Sequence, residues 1–201
     1  MSELTVEETP ERLPVYLGGG LRVEERLMLQ ASVQPESARE PRLTFHALND
    51  VVVGQGGATR LLDIGASVDD TPLTTYRADA VIVSTATGST GYAFSAGGPI
   101  LYPEARDMLV QPVAPHTGLR EGLIFPEHSV IELRARGGVR PTLSVDGSQE
   151  TDLASDERVI VRRGPHLARF LRGQDPVAFY TALTRRLGLV IHPGGDAGDG
   201  S

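Results

Sequence analysis

Apolar and polar residues alternate along most of the chain, and this period of two predicts β-strands. Between residues 21 and 33, apolar side chains occupy every second position from Leu27 to Val33, as expected of a strand with one buried face. The same pattern, bounded by turn residues, predicts strands at about 42–54, 58–68, 72–84, 107–113, 122–126, 130–136, 139–145, 158–163 and 167–171. So many short strands predict a mainly β protein, a multi-stranded β-sandwich, rather than a parallel sheet.

Two pairs of turn residues interrupt the second half of this pattern. Gly137-Gly138 separates two predicted strands by two residues, which is a strong signal for a tight hairpin. The strands at 130–136 and 139–145 are therefore predicted to pair with each other. Asp146-Gly147 marks a second turn.

The N-terminal end and one internal segment depart from the strand pattern and predict short helices. Thr5 and Glu8 fit a capping box that begins a short N-terminal helix, which Pro14 and the glycines at 18–20 end. A second short helix is predicted near residues 89–96, directly after an apolar strand.

The C-terminal end predicts one further helix. Asp175-Pro176 places an N-cap before a proline at the first helical position, and Gly188 ends the helix. The residues after it are small and polar, which is typical of disorder. These boundaries divide the chain into a connector with a short helix (1–20), a β-sandwich domain (21–174), a C-terminal helix (175–189) and a disordered tail (190–201).

Composition and charge narrow the class of protein. The 201 residues carry a formal net charge of −7 at pH 7 without a basic stripe, which argues against nucleic acid as a partner. The sequence has no membrane-spanning apolar run and no signal-peptide pattern, so no membrane partner is expected and the expected location is cytoplasmic. There is no cysteine, and all 19 basic residues are arginine. Any phosphate bound here would therefore meet arginine, backbone amides or hydroxyl groups rather than lysine.

The run between residues 79 and 99 carries the most chemistry. An apolar strand ends in a turn dense in serine, threonine and glycine, which opens the short helix. Glycines let a backbone approach a ligand closely, while amides at a helix start and hydroxyl groups bind anions and sugars. This composition fits a site for a polyol-phosphate ligand. On the residues alone, an ordinary strand-to-helix turn with capping residues is slightly favoured.

Four segments, in order, resemble the NAD kinase family. Residues 79–99 are similar to the family block D-G-x-x-x-S-T-P-T-G-S-T-A-Y-x-x-S-x-G-G-P. Residues 47–53 resemble the segment A-L-N-[ED]-V-V-I, and residues 111–116 and 143–147 resemble two later segments. The resemblance extends over almost the whole chain, from near Glu3 to about Leu189.

The resemblance implies the C-terminal, NAD-binding β domain of a kinase that phosphorylates the adenosine 2′-hydroxyl of NAD, giving NADP. ATP or polyphosphate would be the donor, Mg²⁺ or another divalent cation would accompany it, and the β domain would form a homo-oligomer, a dimer or tetramer. The family's Gly-Gly-Asp-Gly-Thr loop, which supplies the catalytic base, is absent. No catalytic residue is assigned here, and this chain alone is expected to be inactive. Met1 is then expected to be an internal methionine of a longer kinase; the alternative is a non-catalytic NAD(P)-binding or oligomerisation module.

The resemblance also assigns NAD-binding residues. Asn49 and Asp50 would bond the adenosine ribose hydroxyls, although a strand-end turn has the same residue types. Arg77 and Asp79 would serve the nicotinamide-ribose end of NAD across a subunit boundary, although a surface ion pair would look the same. Ala114 is small enough for a base to lie against the backbone. The loop would contribute Thr87, Thr90, Gly91, Tyr92, Ala93, Phe94 and Ser95.

A weaker set of candidates follows the Asp-Gly turn: Asp146, Ser148 and Gln149. Asp146 is first a turn residue, and the family often places glutamine two positions after this aspartate, where the chain has Ser148. The histidines show no metal-ligand spacing to one another, so no metal site is predicted in this chain.

Overall fold

Two antiparallel six-stranded sheets make up most of the described chain. The computed structural model describes residues 6–19, 21–55, 61–136, 140–173, 178–186 and 188. In chain order the strands are β1 (Arg22–Pro35), β2 (Leu43–Ala47), β3 (Asp50–Gln55), β4 (Leu62–Val68), β5 (Thr71–Ala78), β6 (Ala80–Ser84), β7 (Met108–Val113), β8 (Leu123–Phe125), β9 (Ile131–Arg136), β10 (Pro141–Val145), β11 (Gln149–Asp152) and β12 (Glu157–Arg172). The first sheet has the order β2-β1-β12-β9-β4-β5, and the second has the order β11-β10-β3-β6-β7-β8.

The main apolar core draws on both sheets. Leu29 and Ile64 of the first sheet and Val53, Val83 and Leu143 of the second are all fully buried in one cluster. Burial of a side chain of this size contributes about 1.5–3 kcal/mol, so a shared core holds the two sheets against each other. The prediction of a mainly β fold is confirmed.

A smaller apolar cluster lies on the other face of the second sheet. Ile82 and Leu109 project away from the main core and pack with Ala86, Ala93 and Leu101. The last three belong to the segment that follows β6, so apolar packing holds this segment against the sheet. That segment contains the candidate ligand loop.

Two predicted strands are each divided in the structure. The strand predicted at 42–54 is β2 and β3, because the amides of Leu48 and Asn49 bond to a side chain rather than to a neighbouring strand. The strand predicted at 72–84 is β5 and β6, which belong to different sheets and have Asp79 between them. The side-chain alternation runs through both breaks, so periodicity alone does not reveal them.

The last strands also differ from prediction. The two strands predicted at 158–163 and 167–171 are the single strand β12. A β carbon at Gly164 would lie 3.0 Å from the carbonyl oxygen of Met28, so glycine here allows β12 to run close beside β1 rather than ending the strand. The strand β11 is polar throughout and has no apolar alternation that predicts it.

The predicted hairpin at Gly137-Gly138 is wrong. The strand before it, β9, pairs with β4 and β12 in the first sheet. The strand after it, β10, pairs with β3 and β11 in the second sheet. The chain therefore passes from one sheet to the other here, and residues 137–139 themselves lie outside the described residues. The second predicted turn, Asp146-Gly147, does join two paired strands, β10 and β11, and both of its residues have positive φ.

The N-terminal helix, α1 (Thr9–Leu17), continues through Pro14, which was predicted to end it. Its last turn closes on that proline, because the Gly18 amide donates to the Pro14 carbonyl at 2.9 Å. The predicted capping residue Thr5 lies outside the described residues.

The helix predicted at 89–96 is a 3-10 turn (Gly88–Thr90) followed by a single helical turn, α2 (Tyr92–Ser95). The C-terminal helix is α3 (Ala178–Arg186). Its predicted cap Asp175-Pro176 and the predicted disordered tail 190–201 lie outside the described residues. Among the described helices, none has the length and apolar character needed to cross a membrane.

The chain divides into two compact units. One extends from Glu25 to Phe170, and the other combines the residues up to Glu24 with those from Leu171 onward. The main core, the smaller apolar cluster and every candidate ligand-binding residue belong to the first unit.

Candidate functional site

Three neighbouring strands of the second sheet bring the candidate residues together. Strand β3 lies between β6 and β10, with Asp50 opposite Ser84 on one side and Val51 opposite Val145 on the other. The start of β3 therefore adjoins the end of β6, where the segment of residues 84–95 begins; we call this segment the hydroxyl loop. The same start of β3 adjoins the turn at the end of β10.

The Asp146 carboxylate accepts hydrogen bonds that hold the start of β3 in place. Its Oδ2 accepts a hydrogen bond from the Leu48 amide at 2.8 Å, and its Oδ1 accepts from the amides of Asn49 at 2.7 Å and Asp50 at 3.0 Å. The Asp146 amide in turn donates to the Asp50 carbonyl at 3.0 Å. We call this set of bonds the Asp146 clamp. It fixes the backbone that carries the Asn49 and Asp50 side chains.

The clamp gives Asp146 a positioning role in the structure. Its carboxylate oxygens are engaged by backbone amides, so its observed contacts position other residues. Ser148 and Gln149 are exposed in the turn and at the start of β11, and the Ser148 amide donates to the Val145 carbonyl at 3.1 Å.

The inner part of the hydroxyl loop, residues 84–89, forms hydrogen bonds to the same backbone from the other side. Thr85 Oγ1 donates to the Leu48 carbonyl at 2.7 Å and accepts from the Gly88 amide at 3.1 Å. Ser84 Oγ donates to the Asn49 carbonyl at 3.2 Å. A β carbon on Gly88 would collide with that carbonyl, so only glycine allows the loop to lie this close to β3. Sequence reasoning missed these positioning parts; the signal for them is a pair of hydroxyl residues at the buried end of an apolar strand.

The outer part of the loop, residues 91–95, is open to solvent. Tyr92 is 46% exposed and Phe94 is 41% exposed, and Gly91 and Ser95 are also exposed. Ala93 is an exception, because its side chain is fully buried in the smaller apolar cluster and only its backbone is left to meet a ligand.

Thr87 and Thr90 are half-buried. Thr87 Oγ1 accepts a hydrogen bond from Arg26 Nη1 at 3.2 Å, and Thr90 Oγ1 donates to the Thr87 carbonyl at 3.3 Å. Three amides of this stretch are engaged within the loop. The amides of Gly88, Ser89 and Gly91 each donate to a group of the loop itself.

Acidic groups concentrate at this site. Asp50 is 8% exposed, and burial, together with the neighbouring charge of Asp146, raises its pKa to about 6. Burial also raises the pKa of the Tyr92 hydroxyl, with smaller contributions from the Asp79 and Asp50 carboxylates. The Asp50 and Asp79 carboxylates of one chain therefore both act on the Tyr92 hydroxyl.

The segment containing Ala114 runs beside Arg77 and Asp79. The Asp79 amide donates to the Val113 carbonyl at 3.1 Å, and the His116 amide donates to the Arg77 carbonyl at 2.8 Å. Ala114 is exposed and has a φ of 46°, so its small side chain occupies a left-handed position at the surface. The side chains of Arg77 and Asp79 are exposed as well. Across the described ranges, no group of three or more histidine, aspartate or glutamate side chains is placed to hold a metal ion.

Comparison with known proteins identifies sequences that are similar to this chain. The family model of the ATP-NAD kinase C-terminal domain matches residues 48–173. An NAD kinase of Dehalococcoides mccartyi is 35% identical over 187 residues, which cover 93% of this chain and 66% of that protein. An NAD kinase of Chloroflexus aggregans is 36% identical, with 93% and 67% covered, and one of Moorella thermoacetica is 38% identical, with 93% and 59% covered. The chain thus spans about two thirds of the length of these relatives, or less.

Two solved structures share the fold. A yeast NADH kinase complexed with NADH superposes with a TM-score of 0.86 at 23% identity, covering 99% of this chain and 57% of that one. An NAD kinase from Archaeoglobus fulgidus in complex with ATP superposes with a TM-score of 0.68 at 23% identity, covering 90% of this chain and 64% of that one.

Proposed function

The chain belongs to the NAD kinase family, and from this premise we propose that it is the dinucleotide-binding part of an NAD kinase. The reaction proposed for the whole enzyme is transfer of a phosphoryl group from ATP or polyphosphate to the adenosine 2′-hydroxyl of NAD, giving NADP. The solved relatives described with NADH and with ATP support these two classes of ligand.

One observation carries the proposal for this chain: the Asp50 carboxylate is nearly buried beside the Asp146 carboxylate. Among the described residues, none donates a hydrogen bond to it, and burial with the charge of Asp146 acts against its ionised form. A nearly buried carboxylate without protein donors is costly unless solvent or a ligand supplies them. Two adjacent ribose hydroxyls are such donors, and the amide of Asn49, next to it on the clamped backbone, offers both a donor and an acceptor.

We assign the remaining contacts to the outer part of the hydroxyl loop. The exposed Tyr92 ring is available to stack on a base, and Gly91 and Ser95 present backbone and a hydroxyl beside it. Arg77, Asp79 and Ala114 are proposed to complete the NAD site of a second subunit in a homo-oligomer. The divalent cation is proposed to enter with the phosphates of the donor, and the proposed location is the cytoplasm.

The catalytic base is proposed to lie outside these 201 residues, because nothing in them matches the Gly-Gly-Asp-Gly-Thr loop of the family. Phosphoryl transfer depends mainly on positioning and on charge stabilisation. This chain would then hold NAD in place without phosphorylating it on its own.

Calorimetric titration of the chain with NAD tests the proposal. Replacing Asn49 by Ala leaves a ligand group without its partner in a partly dry site, at a cost of about 1–3 kcal/mol, or roughly ten- to a hundred-fold in affinity. The matched control is Asp152→Asn, an exposed residue on β11 away from the loop, which should bind NAD like the wild type. Equal affinity in the wild type and the Asn49→Ala variant, or no binding by the wild type, would refute a nucleotide site at this place.

A further inference from the structure

A glutamine side chain is buried beside the smaller apolar cluster, on the face of the second sheet that carries the hydroxyl loop. Gln111 lies on β7 and is 2% exposed. It stands opposite Ile82 of β6 and two positions from Leu109, and both of these residues belong to that cluster. Burial of an amide group is costly unless its donors and acceptors are bonded. Packing alone therefore does not explain a glutamine at this position.

Only the donor half of this amide is bonded. Gln111 Nε2 donates to the carbonyls of Ala96 and Pro112, each at 3.1 Å. Among the residues that the structure describes, none donates a hydrogen bond to its Oε1. A β carbon on Gly98 would lie 3.0 Å from that oxygen, and one on Gly122 would collide with it. A methionine would fill a similar space without an unbonded oxygen, so what the glutamine adds here is its donor.

The donor holds the end of α2, the helical turn in the outer part of the hydroxyl loop. Ala96 directly follows α2, and a helix leaves its last carbonyls without partners of its own. The amides of Gly97 and Gly98 satisfy two carbonyls of α2, each at 2.9 Å. Gln111 satisfies the carbonyl of Ala96 from β7. Because β7 is part of the second sheet, this bond connects the end of α2 to the sheet.

We propose that Gln111 is a positioning residue for nucleotide binding, which acts by fixing α2 and with it Tyr92 and Ser95; this inference rests on the proposed function. A single helical turn is too short to be stable by itself. The start of α2 is held by the inner part of the loop, because the Gly91 amide donates to the Gly88 carbonyl at 2.8 Å. Gln111 holds the other end. A turn fixed at both ends need not be ordered when the ligand binds, and this preserves affinity.

The test replaces Gln111 by Met in the 201-residue chain, which removes the donor and the unbonded oxygen together. NMR titration should show NAD affinity reduced by about three- to tenfold, because α2 must now be ordered on binding. Amide hydrogen exchange at Gly97 and Gly98 should be about tenfold faster, because the end of α2 opens more often. The melting temperature should stay within about 3 °C of the wild type, since the lost bonds are offset by removal of a buried unbonded oxygen.

The matched control is Leu109→Met, on the same strand and in the same apolar cluster. It changes the packing of the cluster and leaves the bond to the Ala96 carbonyl in place. NAD affinity should stay within about twofold of the wild type, and exchange at Gly97 and Gly98 should be unchanged, even if the melting temperature falls by a few degrees. If Gln111→Met fails to fold, Gln111→Leu replaces it, because leucine also lacks the donor.

The possible failures are distinguishable. Unchanged NAD affinity in Gln111→Met, with or without faster exchange, would overturn the positioning role and leave the proposed function standing. An equal loss of affinity in Leu109→Met would mean that the packing of the cluster matters rather than the donor, which also overturns the role. A wild type that does not bind NAD would refute the proposed function, and with it the role of Gln111 in binding, whatever the exchange rates.

Discussion

The inner and outer parts of the hydroxyl loop follow each other in the sequence and have opposite environments. In the inner part, residues 84–89, the hydroxyls of Ser84, Thr85 and Ser89 are buried and bonded to carbonyls of the protein. In the outer part, residues 91–95, Tyr92 and three of its four companions are exposed. The difference shows that a run of serine, threonine and glycine contains two kinds of residue. Those nearest the strand end form hydrogen bonds within the protein, and those farther along are exposed and are the ones proposed to contact the ligand.

A substitution at Gly88 is the strongest test of this comparison. Gly88→Ala places a β carbon against the Asn49 carbonyl and within 2.6 Å of Ser84 Oγ, so the inner part must move away from β3. We expect a loss of about 3 kcal/mol or more in the free energy of unfolding, measured by chemical denaturation.

Gly91→Ala is the matched change in the outer part. Its β carbon would lie 3.2 Å from the Gly88 carbonyl oxygen, which is tight but leaves room to adjust. We expect it to cost less than about 1 kcal/mol in stability. Similar losses for the two variants would contradict the division into a building part and a contacting part.

Replacement of Asp146 has the second largest expected effect on stability. Asp146→Ala leaves the amides of Leu48, Asn49 and Asp50 without their acceptor, and hydrogen bonds to a charged group are each worth about 1.5–3 kcal/mol without being additive. We expect a destabilisation of about 2–4 kcal/mol in denaturant titrations, together with weaker NAD binding.

The control for this change is Asp152→Ala, in the strand that follows the same turn. Asp152 is exposed and lies 3.8 Å from Arg140, so its loss should cost about 0.5 kcal/mol or less. If Asp146→Ala were as mild as this control, the clamp would not be what positions Asn49 and Asp50.

Replacement of Asp50 has the smallest expected effect on stability, and this effect depends most sharply on pH. Its folded-state pKa of about 6 exceeds the ordinary value of 3.8, so the folded protein binds a proton more tightly than the unfolded chain does. The stability contributed by this group is full below about pH 4 and is lost as the pH rises through 6. We expect Asp50→Asn to be more stable than the wild type by about 1–2 kcal/mol at pH 8, with no difference at pH 4.

The neighbouring variant Asn49→Ala has no group to titrate and should differ from the wild type by the same amount at both pH values. NAD affinity should follow the opposite trend from stability, because the ionised Asp50 carboxylate is the form that we propose accepts two ribose hydroxyls. A stability difference between Asp50→Asn and the wild type that did not change with pH would show that Asp50 is not a strained carboxylate.

Alternation of apolar residues is sufficient to predict most strands, because it reports directly on which face of a strand is buried. It does not reveal the break at Leu48 and Asn49, which depends on an acceptor 98 and 97 positions away along the chain. The hairpin predicted at Gly137-Gly138 is wrong for a related reason. A local turn signal cannot say whether the next strand joins the same sheet or the other one.

For the site too, the sequence predicts some features and misses others. The motif resemblance locates Asn49, Asp50 and the loop, since these lie in continuous segments of sequence. It does not separate residues that build the site from residues that face a ligand, because that depends on burial in the folded chain. Arg26 occupies an ordinary position in an alternating strand, and only the folded chain shows its hydrogen bond to Thr87.

The Asp146 clamp has a consequence for the order of events during folding. The turn that carries Asp146 closes locally, between the adjacent strands β10 and β11, whereas the bonds to residues 48–50 join parts of the chain that are 96 to 98 positions apart. Closing so long a loop is slow compared with forming a hairpin. During refolding, the strands can therefore acquire their secondary structure before the ligand site exists. The capacity to bind a nucleotide would be among the last properties that the chain regains.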